Sequence, residues 1–248
     1  MPKLLGNTPM QTHQTLHNFQ FSAVEVSNLG APDYTIVTIV QDTSTSVTDF
    51  KTEMESTLKQ ILDACKKSPR SENLLLRLVE FNSGLNELHG FRELRDIDPT
   101  EYDDVLSCRG MTALKDAILD STEATEVYGK QLVDMDYNCN GIMFIVTDGD
   151  DNASTVARDP ALIKEAFKRI RTNETLESFN TVLVGVGTDP HIIQFLDDLK
   201  NDAGIDQFVK MGDATPGKLA KLADFVSKSI SSTSQALGTG QPSQPLTF

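Results

Sequence analysis

The run Tyr34-Thr35-Ile36-Val37-Thr38-Ile39-Val40 constrains this chain more than any other stretch. It is β-branched and almost continuously apolar, the make-up of a strand covered on both faces. Such a strand belongs in the middle of a parallel sheet, with helices above and below it. A second run of the same kind, Gly141-Ile142-Met143-Phe144-Ile145-Val146, occurs later. Both lead into a carboxylate. The first reaches Asp42 in Asp42-Thr43-Ser44-Thr45-Ser46, and the second reaches Asp148 in Thr147-Asp148-Gly149-Asp150-Asp151-Asn152.

Between and after these runs, helical and strand patterns alternate. Phe50, Met54, Leu58, Ile61, Leu62 and Cys65 recur at helical spacing until Ser68-Pro69. Asn73 to Phe81 reads as a strand, and Asn82-Ser83-Gly84 as a hairpin turn into an antiparallel edge strand over Leu85 to Leu94. A helix begins near Ala113. Asp159-Pro160, Asp189-Pro190 and Thr215-Pro216 each place a cap residue before a proline at the first helical position, where the missing N–H costs nothing. Strands fall over residues 179–186 and 207–211, and a short one from Phe19 to Val24 adds to the sheet edge. The predicted fold class is α/β: a doubly wound, mostly parallel six-stranded Rossmann-like sheet with one antiparallel edge strand and helices on both faces. Residues 1–18 read as a flexible N-terminal arm and 19–232 as the domain. Residues 233–248, rich in Ser, Thr, Gly, Gln and Pro, read as a flexible C-terminal tail.

A formal charge of −14 over 248 residues opposes sequence-independent binding to nucleic acid or to an anionic membrane surface, since both need a basic face. No run approaches the roughly 18 apolar residues of a membrane span, and no signal-peptide core appears, so neither nucleic-acid binding nor membrane insertion is expected. Cys65, Cys108 and Cys139 are scattered, with no C-x-x-C pair and no His at zinc spacing, which predicts reduced thiols and a cytoplasmic protein.

In the strand order 3-2-1-4-5-6 the strands ending at Asp42 and Asp148 are neighbours across the reversal, the place where doubly wound sheets bind ligands. Ser44 and Ser46 add hydroxyls to Asp42, and the turn Gly110-Met111-Thr112 brings a third hydroxyl nearby. Carboxylates and hydroxyls are hard oxygen donors of the kind Mg²⁺ or Mn²⁺ accepts. Ser46 with Asp49 fits a helix capping box equally well.

These three motifs, D-x-S-x-S at Asp42, Ser44 and Ser46, a lone Thr112 in GMTALKDAI, and T-D-G at Thr147-Asp148-Gly149, resemble the von Willebrand factor A domain and its metal-ion-dependent adhesion site. The resemblance covers roughly residues 33 to 232 and is closest to the intracellular relatives, often companions of AAA+ ATPases. It implies that Ser44 and Ser46 ligate Mg²⁺ directly, with Mn²⁺ as the alternative ion. Thr112 would ligate directly or through water, and Asp42 and Asp148 mainly through water or hydrogen bonds. The implied function is protein binding, with a partner's Glu or Asp completing the octahedron and an AAA+ ATPase among the candidate partners. Two departures stand out: Thr45 and Met111 occupy positions where many relatives carry Gly, which predicts altered loop rigidity without loss of the metal.

Two other functions compete: a metal-assisted phosphate hydrolase using Asp42 and Asp148, and a structural subunit with a non-functional site. Against the hydrolase, Ser44 stands where a phosphotransferring D-x-D loop has its second aspartate, and no general base is evident, so no enzyme activity is expected. Asp150, Asp151 and Asn152 read as a solvated acidic loop. Arg109 either meets a partner's carboxylate or pairs with a neighbouring acid. The four histidines, His13, His17, His89 and His191, are expected on the surface or in turns.

Overall fold

The computed structural model describes residues 9–173, 175–240, 246 and 248. Its strands are β1 (Met10–Gln14), β2 (Gln20–Val24), β3 (Asp33–Asp42), β4 (Leu74–Phe81), β5 (Leu85–Glu93), β6 (Asn138–Thr147), β7 (Phe179–Val186) and β8 (Gln207–Gly212). The helices are α1 (Lys51–Lys66), α2 (Leu114–Asp134), α3 (Pro160–Thr172), α4 (Pro190–Ala203) and α5 (Pro216–Thr239). All eight strands form one sheet, in the order β1-β2-β5-β4-β3-β6-β7-β8.

The apolar run starting at Tyr34 is central, as its composition requires. β3 pairs in parallel with β4 on one side and β6 on the other. Its side chains alternate between two cores: Tyr34, Ile36 and Val40 pack with α2, α3 and α4, while Val37 and Ile39 face α1 and α5. Asp159, Asp189 and Thr215 each accept a backbone N–H at the start of α3, α4 and α5, with the following proline inside the first turn.

Three expectations need correction. The sheet has eight strands and not six, and the antiparallel β5 is not an edge. β2 lies beside it through the parallel pair Ala23↔Phe91, and β1 closes the sheet antiparallel to β2. This contact depends on Gly90, where a Cβ would stand 1.9 Å from the Ser22 carbonyl oxygen. The stretch 1–18 therefore contains β1; residues 1–8 lie outside the described residues. Finally, α5 runs to Thr239, well into the expected tail, because its polar residues have partners inside the protein. Thr233 and Ser234 are fully buried, Asn140 donates to the Thr233 carbonyl at 2.8 Å, and Arg70 Nε donates to Ser234 Oγ at 3.0 Å. Of the remaining tail, residues 241–245 and 247 lie outside the described residues.

Candidate metal centre

β3 and β6 are adjacent, so their carboxyl ends put Asp42 and Asp148 at one crevice, where the strand order reverses. Asp42 is fully buried, and both of its oxygens are engaged. Oδ1 accepts the Ser44 backbone N–H at 2.7 Å and Oδ2 accepts the Thr147 hydroxyl at 2.5 Å. The Ser44 and Ser46 hydroxyls lie 3.0 Å apart, and Ser46 Oγ donates to Asp148 Oδ1 at 2.8 Å. The expected capping box at Ser46 does not form: α1 is preceded by a 3-10 turn over Thr45–Phe50 with no side-chain cap, because the Ser46 hydroxyl is turned to Asp148.

Thr112 arrives from the turn before α2. A Cβ placed on Gly149 would lie 3.6 Å from Thr112 Oγ1, so that hydroxyl faces the turn carrying Asp148. It makes no hydrogen bond among the described residues. The turn itself needs glycine at position 110, where φ is +75° and a Cβ would strike Ser83 Oγ at 2.5 Å. All five predicted donors, Asp42, Ser44, Ser46, Thr112 and Asp148, thus meet in one place.

Burial pushes the Asp42 carboxyl up to about 6; hydrogen bonds from Thr147 and Ser44 pull it back, and the neighbouring Asp148 adds to the rise. Asp148 is raised by its own burial. Two carboxylates that lose hydration in one crevice favour a compact cation between or beside them. Three hydroxyls without a third carboxylate suit a small hard ion and leave it electron-poor. No group of three or more His, Cys, Asp or Glu side chains that could hold a metal occurs among the described residues, and the cluster at this crevice is instead a mixed one of two carboxylates and three hydroxyls. It fits Mg²⁺ or Mn²⁺ chemically.

Several residues that hold this geometry were not singled out in the sequence. Asp150 and Asn152 are exposed, as a solvated loop requires, but Asp151 is withdrawn from solvent and both Asp151 and Asn152 are engaged. Asn152 Oδ1 accepts the Thr112 N–H at 2.8 Å, and Asp151 accepts the Lys115 N–H at 3.2 Å and pairs with its amine at 3.1 Å. Asp116 gathers the N–H groups of Thr155, Val156 and Ala157, which ties the Asp148 loop to α2. An Asx residue a few positions after the T-D-G is the only sequence signal for this. Arg109 is exposed at the rim and has no side-chain partner among the described residues. His89 is buried, against expectation, under Tyr102, whose hydroxyl lies 2.7 Å from Nε2, while Nδ1 lies 2.9 Å from the Gly90 carbonyl. A carbonyl only accepts, so Nδ1 carries the proton and Tyr102 donates to Nε2.

No protein-family model and no curated protein sequence matches the chain. Solved structures do. Proximal thread matrix protein 1 from the mussel byssus is 21% identical, with a TM-score of 0.51 over 79% of this chain and 45% of that one. The same mussel protein with a zinc-occupied MIDAS motif gives 20% identity and a TM-score of 0.51 over 81% and 46%. The PilB minor pilin from Streptococcus sanguinis gives 14% identity and a TM-score of 0.56 over 91% and 67%. The chain thus spans less than half of the mussel protein. The likeness is one of fold, a mostly parallel α/β sheet flanked by helices. Among the described residues no helix is long and apolar enough to cross a membrane.

Proposed function

We propose that this chain is a divalent-metal-dependent protein-binding module. Asp42, Ser44, Ser46, Thr112 and Asp148 hold Mg²⁺, with Mn²⁺ as the alternative, and a Glu or Asp from a partner completes the ion. The observation that carries this reading is the convergence of three hydroxyls and two carboxylates, from three separate segments, at the carboxyl ends of β3 and β6. When bound, the ion supplies an oxygen-seeking position; the protein's part is to fix the donors and keep their number of negative charges low. Asp42 orients the Ser44 backbone and Thr147, and Ser46 and Asp148 hold each other in register.

The zinc-occupied MIDAS motif of the mussel protein supports metal binding, and the byssal source of that protein and the pilin nature of the other support a binding role over an enzymatic one. The proposal includes a cytoplasmic setting, supported by three free cysteines, and an AAA+ ATPase as one candidate partner. The hydrolase reading finds no support in the histidines: His89 is locked against Tyr102, and His17 is bound to Glu123 at 2.7 Å. The test is calorimetric titration with Mg²⁺ and Mn²⁺, alongside partner capture with Mg²⁺ and with chelator. One site is expected, lost in a Ser44→Ala, Ser46→Ala double variant whose far-ultraviolet circular dichroism is unchanged. Capture that persists in chelator and in Asp42→Ala would sink the reading.

A further inference from the structure

The loop that carries Thr112 to the crevice rests on two buried carboxylates. Glu55 of α1 accepts the Leu106 N–H at 3.0 Å, and Glu80 of β4 accepts the Ser107 N–H at 2.9 Å. The two differ in their charge partners. Glu55 lies 3.7 Å from the Lys51 amine, which also bonds Asp104. Glu80 is only 3% exposed, its other oxygen accepts the Asn86 amide at 2.8 Å, and no Lys, Arg or His pairs with it among the described residues. Both of its bonds come from neutral donors. A glutamine could accept the same Ser107 N–H without placing a charge in the interior, where charges are ordinarily paired.

Glu80 stands opposite Gln41 in the β3–β4 register, one residue before Asp42. Paired strands run ~4.8 Å apart, which puts its carboxylate on the order of 10 Å or less from the donor cluster. The Cys108 thiol shows the same closeness: burial pushes it up, Lys51 opposes the rise, and Glu80, Glu55 and Asp42 add to it. We propose that Glu80 is the buried counter-charge of the divalent ion, favouring the cation through space while its bond to Ser107 keeps it out of the donor set. The inference rests on the metal-site reading above and names a residue that acts on that site without touching the ion. It accounts for a cluster of only two carboxylates among three hydroxyls. Charge held outside the cluster adds attraction without taking a position on the ion, which stays open to a partner's oxygen. The exposed acids of a chain with a net charge of −14 do not replace it, because salt screens them, whereas a buried charge is screened much less.

The test is calorimetric titration of the full chain with Mg²⁺, comparing the wild type with Glu80→Gln and Glu80→Asp. Glutamine keeps the bond to Ser107 and loses the charge; aspartate keeps the charge on a shorter arm that reaches Ser107 poorly. A unit charge about 10 Å from a divalent ion changes its affinity by about tenfold or more, so Glu80→Gln is expected to bind Mg²⁺ at least about tenfold more weakly. Amide-exchange protection at Leu106 and Ser107, measured in chelator, should not change in that variant. Glu80→Asp should stay within about threefold of the wild-type affinity while the Ser107 protection falls. The reverse pattern, in which glutamine retains the affinity and aspartate loses it, makes Glu80 a backbone anchor only and overturns the proposal. So does a glutamine variant that loses affinity and Ser107 protection together. A wild type that takes up no Mg²⁺ sinks the metal-site reading itself, a result distinct from wild-type binding that the glutamine variant matches.

Discussion

Replacing Asp42 by Asn should raise the stability of the chelator-treated protein at neutral pH, while removing the stabilisation that metal provides. Burial lifts the Asp42 carboxyl from 3.8 to about 6. At 1.36 kcal/mol per unit of pKa, holding it ionised at pH 7 disfavours the fold by roughly 3 kcal/mol. The sign follows from proton counting. Between pH 4 and 6 the native state keeps a proton that the unfolded state has lost, so this penalty is absent below pH 4, grows as pH rises, and is complete above 6. Asn carries no such penalty and can keep the same bonds. Its Oδ1 accepts from Ser44, its Nδ2 donates to Thr147 Oγ1, and the Thr147 proton turns to the Gly149 carbonyl at 3.4 Å.

In chelator at pH 7 the variant should therefore melt roughly 6–12 °C above the wild type, on the scale of a domain this size. The gap should close near pH 4. With Mg²⁺ at a hundred times its dissociation constant the wild type gains about 2.7 kcal/mol, and the variant far less. Thermal unfolding followed by circular dichroism, in chelator and in Mg²⁺ at both pH values, measures all four states. An Asn variant less stable than the wild type in chelator at pH 7, or a difference that does not change with pH, would refute the argument.

Gly90→Ala should detach the β1–β2 hairpin, because the added Cβ meets the Ser22 backbone at 1.9 Å and no side-chain rotation relieves it. A loss of about 2–3 kcal/mol in urea unfolding is expected, with amide-exchange protection lost in β2 before the rest of the sheet; unchanged stability would show that the contact is dispensable. His89, pushed down by burial to about 4 from 6.5, should stay neutral through pH 5 to 7. The unfolded state binds its proton first, so stability is full above pH 6.5 and falls by up to about 3 kcal/mol as pH drops towards 4. A nuclear magnetic resonance titration of the His89 ring with a midpoint above 6 would contradict this.

The core of the sheet was readable because its signal is local. Apolar β-branched runs, helical spacing and capped prolines each sit in a short window, and the order β5-β4-β3-β6-β7-β8 is the one that a doubly wound sheet with one hairpin requires. Asp42, Ser44, Ser46, Thr112 and Asp148 were readable for a related reason: each lies at the end of such a strand or the start of such a helix. What escaped depends on contacts between distant residues. β2 was expected, but its place beside β5 rests on the missing side chain of Gly90, and β1 follows it. The last turns of α5 have the composition of a linker, yet Asn140 and Arg70 satisfy Thr233 and Ser234 from other elements. His89 reads as a surface histidine because the tyrosine that covers it, Tyr102, comes from the later 3-10 turn Pro99–Tyr102, and only the Gly90 carbonyl is local to its own strand.

The two departures from the family pattern gain a physical meaning from the same kind of contact. Thr45, where glycine is common, donates its hydroxyl to the Gly110 carbonyl at 3.0 Å, and its backbone N–H reaches the same oxygen at 3.2 Å. Arg109 N–H in turn bonds the Thr43 carbonyl at 2.8 Å. The loop bearing Ser44 and Ser46 is thereby fastened to the loop bearing Thr112. On the far side, Ser83 Oγ accepts the Met111 N–H at 2.9 Å, the Asn82 carbonyl accepts the Ala113 N–H at 2.7 Å, and Asn152 accepts that of Thr112. Thr112 is thus gripped from three segments while its own hydroxyl stays uncommitted. A threonine in place of glycine at position 45 adds a bond where a bare backbone would have added freedom, so the altered rigidity expected from the sequence has a direction. The hydroxyl loops are stiffened towards each other, while Met111 beside Thr112 stays more than half exposed.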